Sequence, residues 1–321
     1  MGAMRPLLLT VTLALAAQEP TIRVPVRLVH QDVLVFTADN RVIPDLQAAT
    51  FRVFDNGHPQ SFTLDTEPAP VSLVLAVQTN AAVRDYLPFV AKAGSTVEAL
   101  LAGATGDTAL LSYADDVGEP KELRGITAAG RDAHMIDAGR RAAAILGART
   151  PSRRRVLVFI GQPADSGSES DLASLQRDVE REDITVFTIT LPMLGKSFVS
   201  DTFSLQGVTF AERGGFRAGA DLKNLVEVLS HKASAEAGAD PFQVLASATG
   251  GIQFHVRTQR QLEDAIAAIG LQLRSGYVLS YHPAPAEAGY HTVRIESAIS
   301  GARIFSRPGY WLAEEGNEPR L

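Results

Sequence analysis

The chain has 321 residues and a formal net charge of −6, from 30 Lys and Arg against 36 Asp and Glu. A hydrophobic share of 45% with 21% charged residues suits a packed globular protein, excludes a disordered one, and lacks the basic field of a nucleic-acid binder. The absence of cysteine excludes disulfides, thiolate zinc sites, iron–sulfur clusters and a cysteine nucleophile.

Residues 1–17 read as a signal peptide. Arg5 precedes an apolar run from Leu7 to Ala17, with small residues at Ala14 and Ala16 where a signal peptidase prefers them. The run falls short of the roughly 20 residues that span a bilayer, and charged residues interrupt every later apolar segment. The expectation is export to the periplasm or the extracellular space, with no membrane span.

From residue 22 to 66 the pattern is strand-like. Val24, Val26 and Leu28 alternate with other residues, Val33-Leu34-Val35-Phe36 runs into Asp39-Asn40, and Phe51-Arg52-Val53-Phe54 leads into Asp55-Asn56-Gly57. Asn-Gly is a strong hairpin signal because both turn positions tolerate positive φ. So few strands need a partner sheet to bury a face.

After Glu67-Pro68-Ala69-Pro70 the rhythm changes. Val71 to Val77 is a continuous apolar run, the mark of a strand buried on both faces. Helical spacing over Arg84–Leu101, a strand over Thr108–Tyr113, a helix over Asp132–Leu146 and a strand over Val156–Ile160 follow. Ser168-Glu169-Ser170-Asp171 resembles a capping box opening a helix with Leu172, Leu175 and Val179, ahead of a strand over Ile184–Ile189. This alternation predicts a doubly wound, mostly parallel α/β sheet over residues 68–275. Residues 195–240, rich in Gly, Ser and Ala with a helix expected over Asp221–His231, read as an insertion. Thr249-Gly250-Gly251 turns into Ile252–Val256, and Gln261–Arg274 carries an apolar helical stripe. The end returns to β pattern at Tyr277–Tyr281, Tyr290–Ile295 and Arg303–Ser306. Residues 276–312 are the natural partners of 22–66 in a β-sandwich built from both chain ends, leaving 313–321 as a tail.

The order of these pieces resembles bacterial VWFA-related proteins, a family abundant in acidobacterial genomes that contains a von Willebrand factor type A domain. The pieces are Phe51-Arg52-Val53-Phe54-Asp55-Asn56-Gly57, Val71-Ser72-Leu73-Val74-Leu75, Arg155-Val156-Leu157-Val158-Phe159, Asp183-Ile184-Thr185-Val186-Phe187, Ala248-Thr249-Gly250-Gly251, Leu273-Arg274-Ser275-Gly276-Tyr277 and Arg307-Pro308-Gly309-Tyr310. The resemblance implies a ligand face at the carboxyl ends of the central strands, where that family carries a metal-ion-dependent adhesion site: Asp-x-Ser-x-Ser, a Thr, and a second Asp. Carried onto this chain, those positions fall on Gln78, Asn80 and Ala82, on Thr127, and on Gln162. Amides replace both carboxylates and Ala82 supplies no ligand oxygen, so the site is degenerate and no divalent metal or other cofactor is implied. Gln78 and Gln162 are expected side by side, paired through their amides or a bridging water.

Other residues have competing readings. Asp165 is either a substitute ligand or a loop residue near a helix N-terminus, where negative charge is favourable. Asp115-Asp116 is either a cation site or a solvated loop, and Arg153-Arg154-Arg155 either an anion patch or a surface edge device. His282 and His291 could face each other across a hairpin, although two imidazoles make a weak zinc site. No nucleophile elbow or nucleotide-binding loop is present. The resulting expectation is an exported module that binds a protein or another macromolecule without metal; the alternative is an envelope hydrolase whose site the sequence does not reveal.

Overall fold

The computed structural model describes residues 28–38, 43–65, 69–97, 101, 105–120, 126–150, 152–192, 209–211, 215–217 and 240–312. Residues 1–17, expected as a signal peptide, the 313–321 tail and most of 195–240, including the helix expected over Asp221–His231, lie outside the described residues.

In chain order the elements begin with β1 (Val29–Phe36), β2 (Phe51–Asp55), β3 (His58–Gln60) and β4 (Phe62–Asp65). The α/β unit follows with β5 (Val71–Gln78), α1 (Leu87–Val97), β6 (Asp107–Tyr113), α2 (Met135–Gly147), β7 (Arg154–Gly161), α3 (Leu172–Arg181) and β8 (Ile184–Thr190). A small hairpin, β9 (Thr209–Ala211) and β10 (Gly215–Arg217), precedes α4 (Pro241–Thr249), β11 (Gln253–His255) and α5 (Gln259–Ser275). The chain closes with β12 (Tyr277–Tyr281), β13 (Gly289–Ser297), β14 (Arg303–Phe305) and β15 (Gly309–Leu312).

β5, β6, β7, β8 and β11 form one parallel sheet in the order β11-β8-β7-β5-β6. All eight residues of β5 are buried, as an unbroken apolar run requires when helices cover both faces. One face packs on α1 and α5 through Leu87, Val90, Leu262, Ile266, Ile269 and Leu273. The other packs on α2, α3 and α4 through Met135, Ala142, Leu146, Leu175, Val179 and Phe242. Each fully buried aliphatic side chain in these layers contributes about 1.5–3 kcal/mol.

Several boundaries differ from the sequence reading, each for a local reason. The first helix opens as a 3₁₀ turn over Ala81–Tyr86, capped by Asn80, before becoming α-helical at Leu87. The helix expected from Asp132 starts at Met135, because a loop contact consumes the preceding main chain: Asp115 Oδ1 accepts from the N–H groups of Arg131 and Asp132. The cap of α3 is Asp171, whose side chain accepts from the Ser174 N–H at 2.6 Å. Ser168 does not cap that helix. Its hydroxyl donates to Asp165 and accepts from the Asp137 N–H.

The three arginines are not an edge device, since β7 is a central strand. Arg153 bonds Ser72 and the Thr105 carbonyl, Arg154 pairs with Asp32 and the Leu273 carbonyl, and Arg155 binds Glu182 and the carbonyls of Gly147 and Arg149. They tie the amino end of β7 to its surroundings.

Both chain ends build the remaining sheets. One has the order β14-β1-β12-β4 and the other β15-β13-β2-β3, with antiparallel neighbours in each. The β2–β3 hairpin turns at Asn56-Gly57, with φ of 46° and 83°, the double positive φ for which Asn-Gly is suited. The two sheets share a core: Val29, Val33, Val35, Leu279 and Tyr281 from one, and Phe51, Val53, Val293, Ile295 and Leu312 from the other. The second half of β1, Val33–Phe36, is buried on both sides, because Leu34 and Phe36 point instead into the α1/α5 layer of the α/β unit. The sandwich is thereby seated on that unit.

Candidate functional site

β5 and β7 are neighbours from which the sheet extends in opposite directions, so their carboxyl ends mark the topological switch point, where open α/β sheets form ligand crevices. Gln78 ends β5 and is 1% exposed. Its Oε1 accepts from the main-chain N–H of Gln162 at 2.6 Å, and its Nε2 donates to Asn80 Oδ1 at 2.9 Å. Asn80 Oδ1 also accepts from the Ala82 N–H at 3.1 Å, while Nδ2 donates to the carbonyls of Arg131 and Asp132, both at 3.0 Å. All four hydrogen-bonding positions of this buried amide are filled.

The structure thus brings Gln78, Asn80, Ala82 and Gln162 together. Thr127 stands in the exposed loop above them, held by bonds from the Ala129 N–H to Thr79 O and from the Ala81 N–H to Gly130 O. The expected side-chain pairing of Gln78 with Gln162 does not form. Gln78 bonds the main chain of Gln162 and the side chain of Asn80, and Gln162 Nε2 turns to the Pro192 carbonyl at 3.3 Å. A main-chain N–H is fixed by the strand end, so it satisfies Gln78 without ordering a second long side chain.

Gly161 permits this approach. A Cβ there would lie 2.6 Å from both Gln78 Oε1 and the Tyr113 hydroxyl. Tyr113 is fully buried, and its hydroxyl has no hydrogen-bond partner among the described residues. Burial, reinforced by the negative charge of Asp165, pushes its pKa well above the ordinary phenol value.

Three surrounding groups organise the loops: Asp165 is the residue near a helix N-terminus that one of its two readings expects, whereas the loop roles of Asp115 and Ser166 are not given by the sequence. Asp115 is exposed, and the N–H groups of Asp132 and Arg131 hold its carboxyl below the usual carboxylate range. Asp165 accepts from the Ile136 N–H at 2.9 Å and from Ser168 at 2.6 Å, serving the start of α2 as an anion at a helix N-terminus does. Ser166 accepts from the Ala133 N–H at 2.9 Å. Short polar residues directly after predicted strands were the available signal, but nothing in their spacing names the loop they hold.

The residues present do not fit Mg²⁺. The amide oxygens of Gln78 and Asn80 are neutral and already accept hydrogen bonds, that of Gln162 is neutral, and Ala82 offers only its main chain. Among the described residues no group of three or more His, Asp or Glu side chains converges as a metal-ligand set. The suggested His282–His291 pair is also absent: His282 is exposed, whereas His291 is buried against Asp55.

The fold is a doubly wound, Rossmann-like α/β unit joined to antiparallel sheets from both chain ends. No protein-family model matches the chain. No curated protein matches it either. Among solved structures it is similar to the conserved hypothetical protein BatB from Bacteroides thetaiotaomicron, at 12% identity and a TM-score of 0.39, over 62% of this chain and 98% of that one. An aerotolerance-related membrane protein from Bacteroides fragilis gives 14% identity and a TM-score of 0.38 over the same shares. Proximal thread matrix protein 1 from the mussel byssus, with a zinc-occupied MIDAS motif, gives 10% and 0.41, over 69% of this chain and 50% of that one.

Proposed function

We propose that the chain is an exported interaction module that binds a protein or another macromolecule at the carboxyl-end face of its α/β unit, without a divalent cation. The degenerate adhesion site of a VWFA-related protein is the closest description of that face. The observation that carries this reading is the clasp of Gln78 and Asn80. Its amide groups are spent on the Gln162 N–H, the Ala82 N–H and the carbonyls of Arg131 and Asp132, where a metal-dependent face would keep charged oxygens free. The clasp fixes the surrounding loops in one shape, and a preorganised surface loses less entropy when a partner docks. The rim combines exposed Arg84, Asp85, Thr127, Arg131 and Asp132, which suits polar contact with a macromolecule.

Photo-crosslinking from Thr127 and Arg131 in cells of the native organism tests the reading, with Thr63 in the sandwich as the control position. The expected result is a discrete adduct from the first two positions that persists in chelator. Equal labelling from Thr63, or an adduct lost on chelation, would contradict it.

A further inference from the structure

Four side chains distant in sequence meet between the two sheets of the sandwich. Asp55 on β2 and His291 on β13 are each 2% exposed. Tyr281 on β12 and Tyr310 on β15 are also buried. Asp55 Oδ2 accepts from the Tyr281 hydroxyl at 3.0 Å and the Tyr310 hydroxyl at 2.6 Å. Asp55 Oδ1 lies 2.6 Å from His291 Nδ1, and His291 Nε2 lies 2.5 Å from the Glu287 carbonyl oxygen in the turn before β13. The imidazole stacks on Tyr310, with centroids 5.0 Å apart. Arg307, before β15, lies over the Tyr310 ring, pairs with Asp183 just ahead of β8, and donates to the His30 carbonyl of β1 at 2.7 Å. Glu180 of α3 is the further charge that acts on Arg307.

Counting protons across this cluster gives a definite result. A main-chain carbonyl only accepts, so Nε2 carries a proton. Both tyrosine hydroxyls donate to Oδ2, Tyr310 at 2.6 Å although it also lies 3.3 Å from His291 Nδ1, and burial raises their pKa values far above the physiological range. The short contact between Nδ1 and Oδ1 therefore needs a further proton, on one atom or the other. The Asp55–His291 pair holds one proton more than a neutral imidazole beside an ionised carboxylate.

We propose that Asp55 and His291 form a proton-dependent clasp that closes the β-sandwich and, through Tyr310 and Arg307, seats it on the α/β unit at Asp183. Removing the extra proton turns a ring lone pair toward either Asp55 Oδ1 or the Glu287 carbonyl, leaving a buried acceptor unsatisfied. A proton that the pair holds in the folded chain and releases in the unfolded one makes stability fall as pH rises. One linked proton changes the folded-to-unfolded ratio by up to about tenfold per pH unit.

The test is heteronuclear NMR of the unmodified chain, reading the ring nitrogens of His291 and the carboxyl carbon of Asp55 from pH 5 to 9, alongside unfolding of wild type and His291→Gln. The expected spectrum at pH 7 shows either two protonated ring nitrogens or one beside a protonated Asp55. Wild type should lose up to about tenfold per pH unit in its folding constant on the alkaline side, a loss that His291→Gln lacks. One protonated ring nitrogen beside an ionised Asp55, with the fold intact, would overturn the clasp, as would identical pH dependence in the two proteins. The spectrum needs only the unmodified chain, so it decides the matter even where the variant fails to fold.

Discussion

The main-chain N–H of Gln162 donates to Gln78 Oε1 at 2.6 Å, joining the carboxyl ends of two parallel strands 84 residues apart in the chain. The acceptor is a buried side chain and the donor a fixed main-chain group, so the two positions contribute unequally. Gln78→Ala strands the Gln162 N–H and removes a donor from Asn80, and should cost about 1–3 kcal/mol in urea unfolding. Gln162→Ala removes only a half-buried side chain bonded at 3.3 Å to Pro192 O, and should cost less than about 0.5 kcal/mol. Equal costs would show that the side chains, not the main chain, make the junction.

Gly161→Ala should be destabilising by about 1–3 kcal/mol, because the added methyl meets Gln78 Oε1 and the Tyr113 hydroxyl at 2.6 Å. Removing that hydroxyl deletes one of the two collisions and a buried group without a partner. Tyr113→Phe alone should therefore be neutral or stabilising, and the double variant should recover part of the Gly161→Ala loss. Simple additivity of the two changes would contradict this packing.

Acidification should weaken the loops around the site before the sheets. The pKa of Asp115 is lowered chiefly by the N–H groups of Asp132 and Arg131, and that of Asp171 by Ser174. For an acid whose folded pKa is depressed, the stabilisation is present above the ordinary value of 3.8 and is lost as pH falls through the folded one. Protection of the Arg131 and Asp132 amides against exchange, relative to their intrinsic rates, should fall in the wild type as pH drops below 3.8. In Asp115→Asn the same amides should exchange faster at neutral pH and show no such added step.

The central sheet was legible because burial on both faces leaves a strong mark: Val71–Val77 carries no charge and cannot lie at a surface. The β2–β3 turn was legible because Asn56-Gly57 meets a backbone demand that few residue pairs meet. The site was legible in part. The resemblance placed Gln78, Asn80 and Gln162 at neighbouring strand ends, but the hydrogen-bond partners depended on main-chain directions that no residue type encodes. Ser168 and Asp171 illustrate the same limit, since both are good caps and only the position of α2 assigns Ser168 to Asp165. The cluster around Asp55 could not be read at all. His291 and Tyr310 lie 236 and 255 residues away from it in the chain, and alternation predicts only that each points inward.

Calorimetric titration of the unmodified protein with Mg²⁺ and Mn²⁺ at millimolar concentration tests the central claim most directly, because a neutral, hydrogen-bonded clasp of Gln78 and Asn80 gives a divalent cation neither charge nor a free oxygen. The account predicts no saturable heat. A fourfold variant, Gln78→Asp, Asn80→Ser, Ala82→Ser and Gln162→Asp, tests whether the backbone can still support a site. Stoichiometric binding by the unmodified protein that is lost in Asn80→Leu would contradict the account, and Asp165, at the start of α2, would be the first ligand to examine.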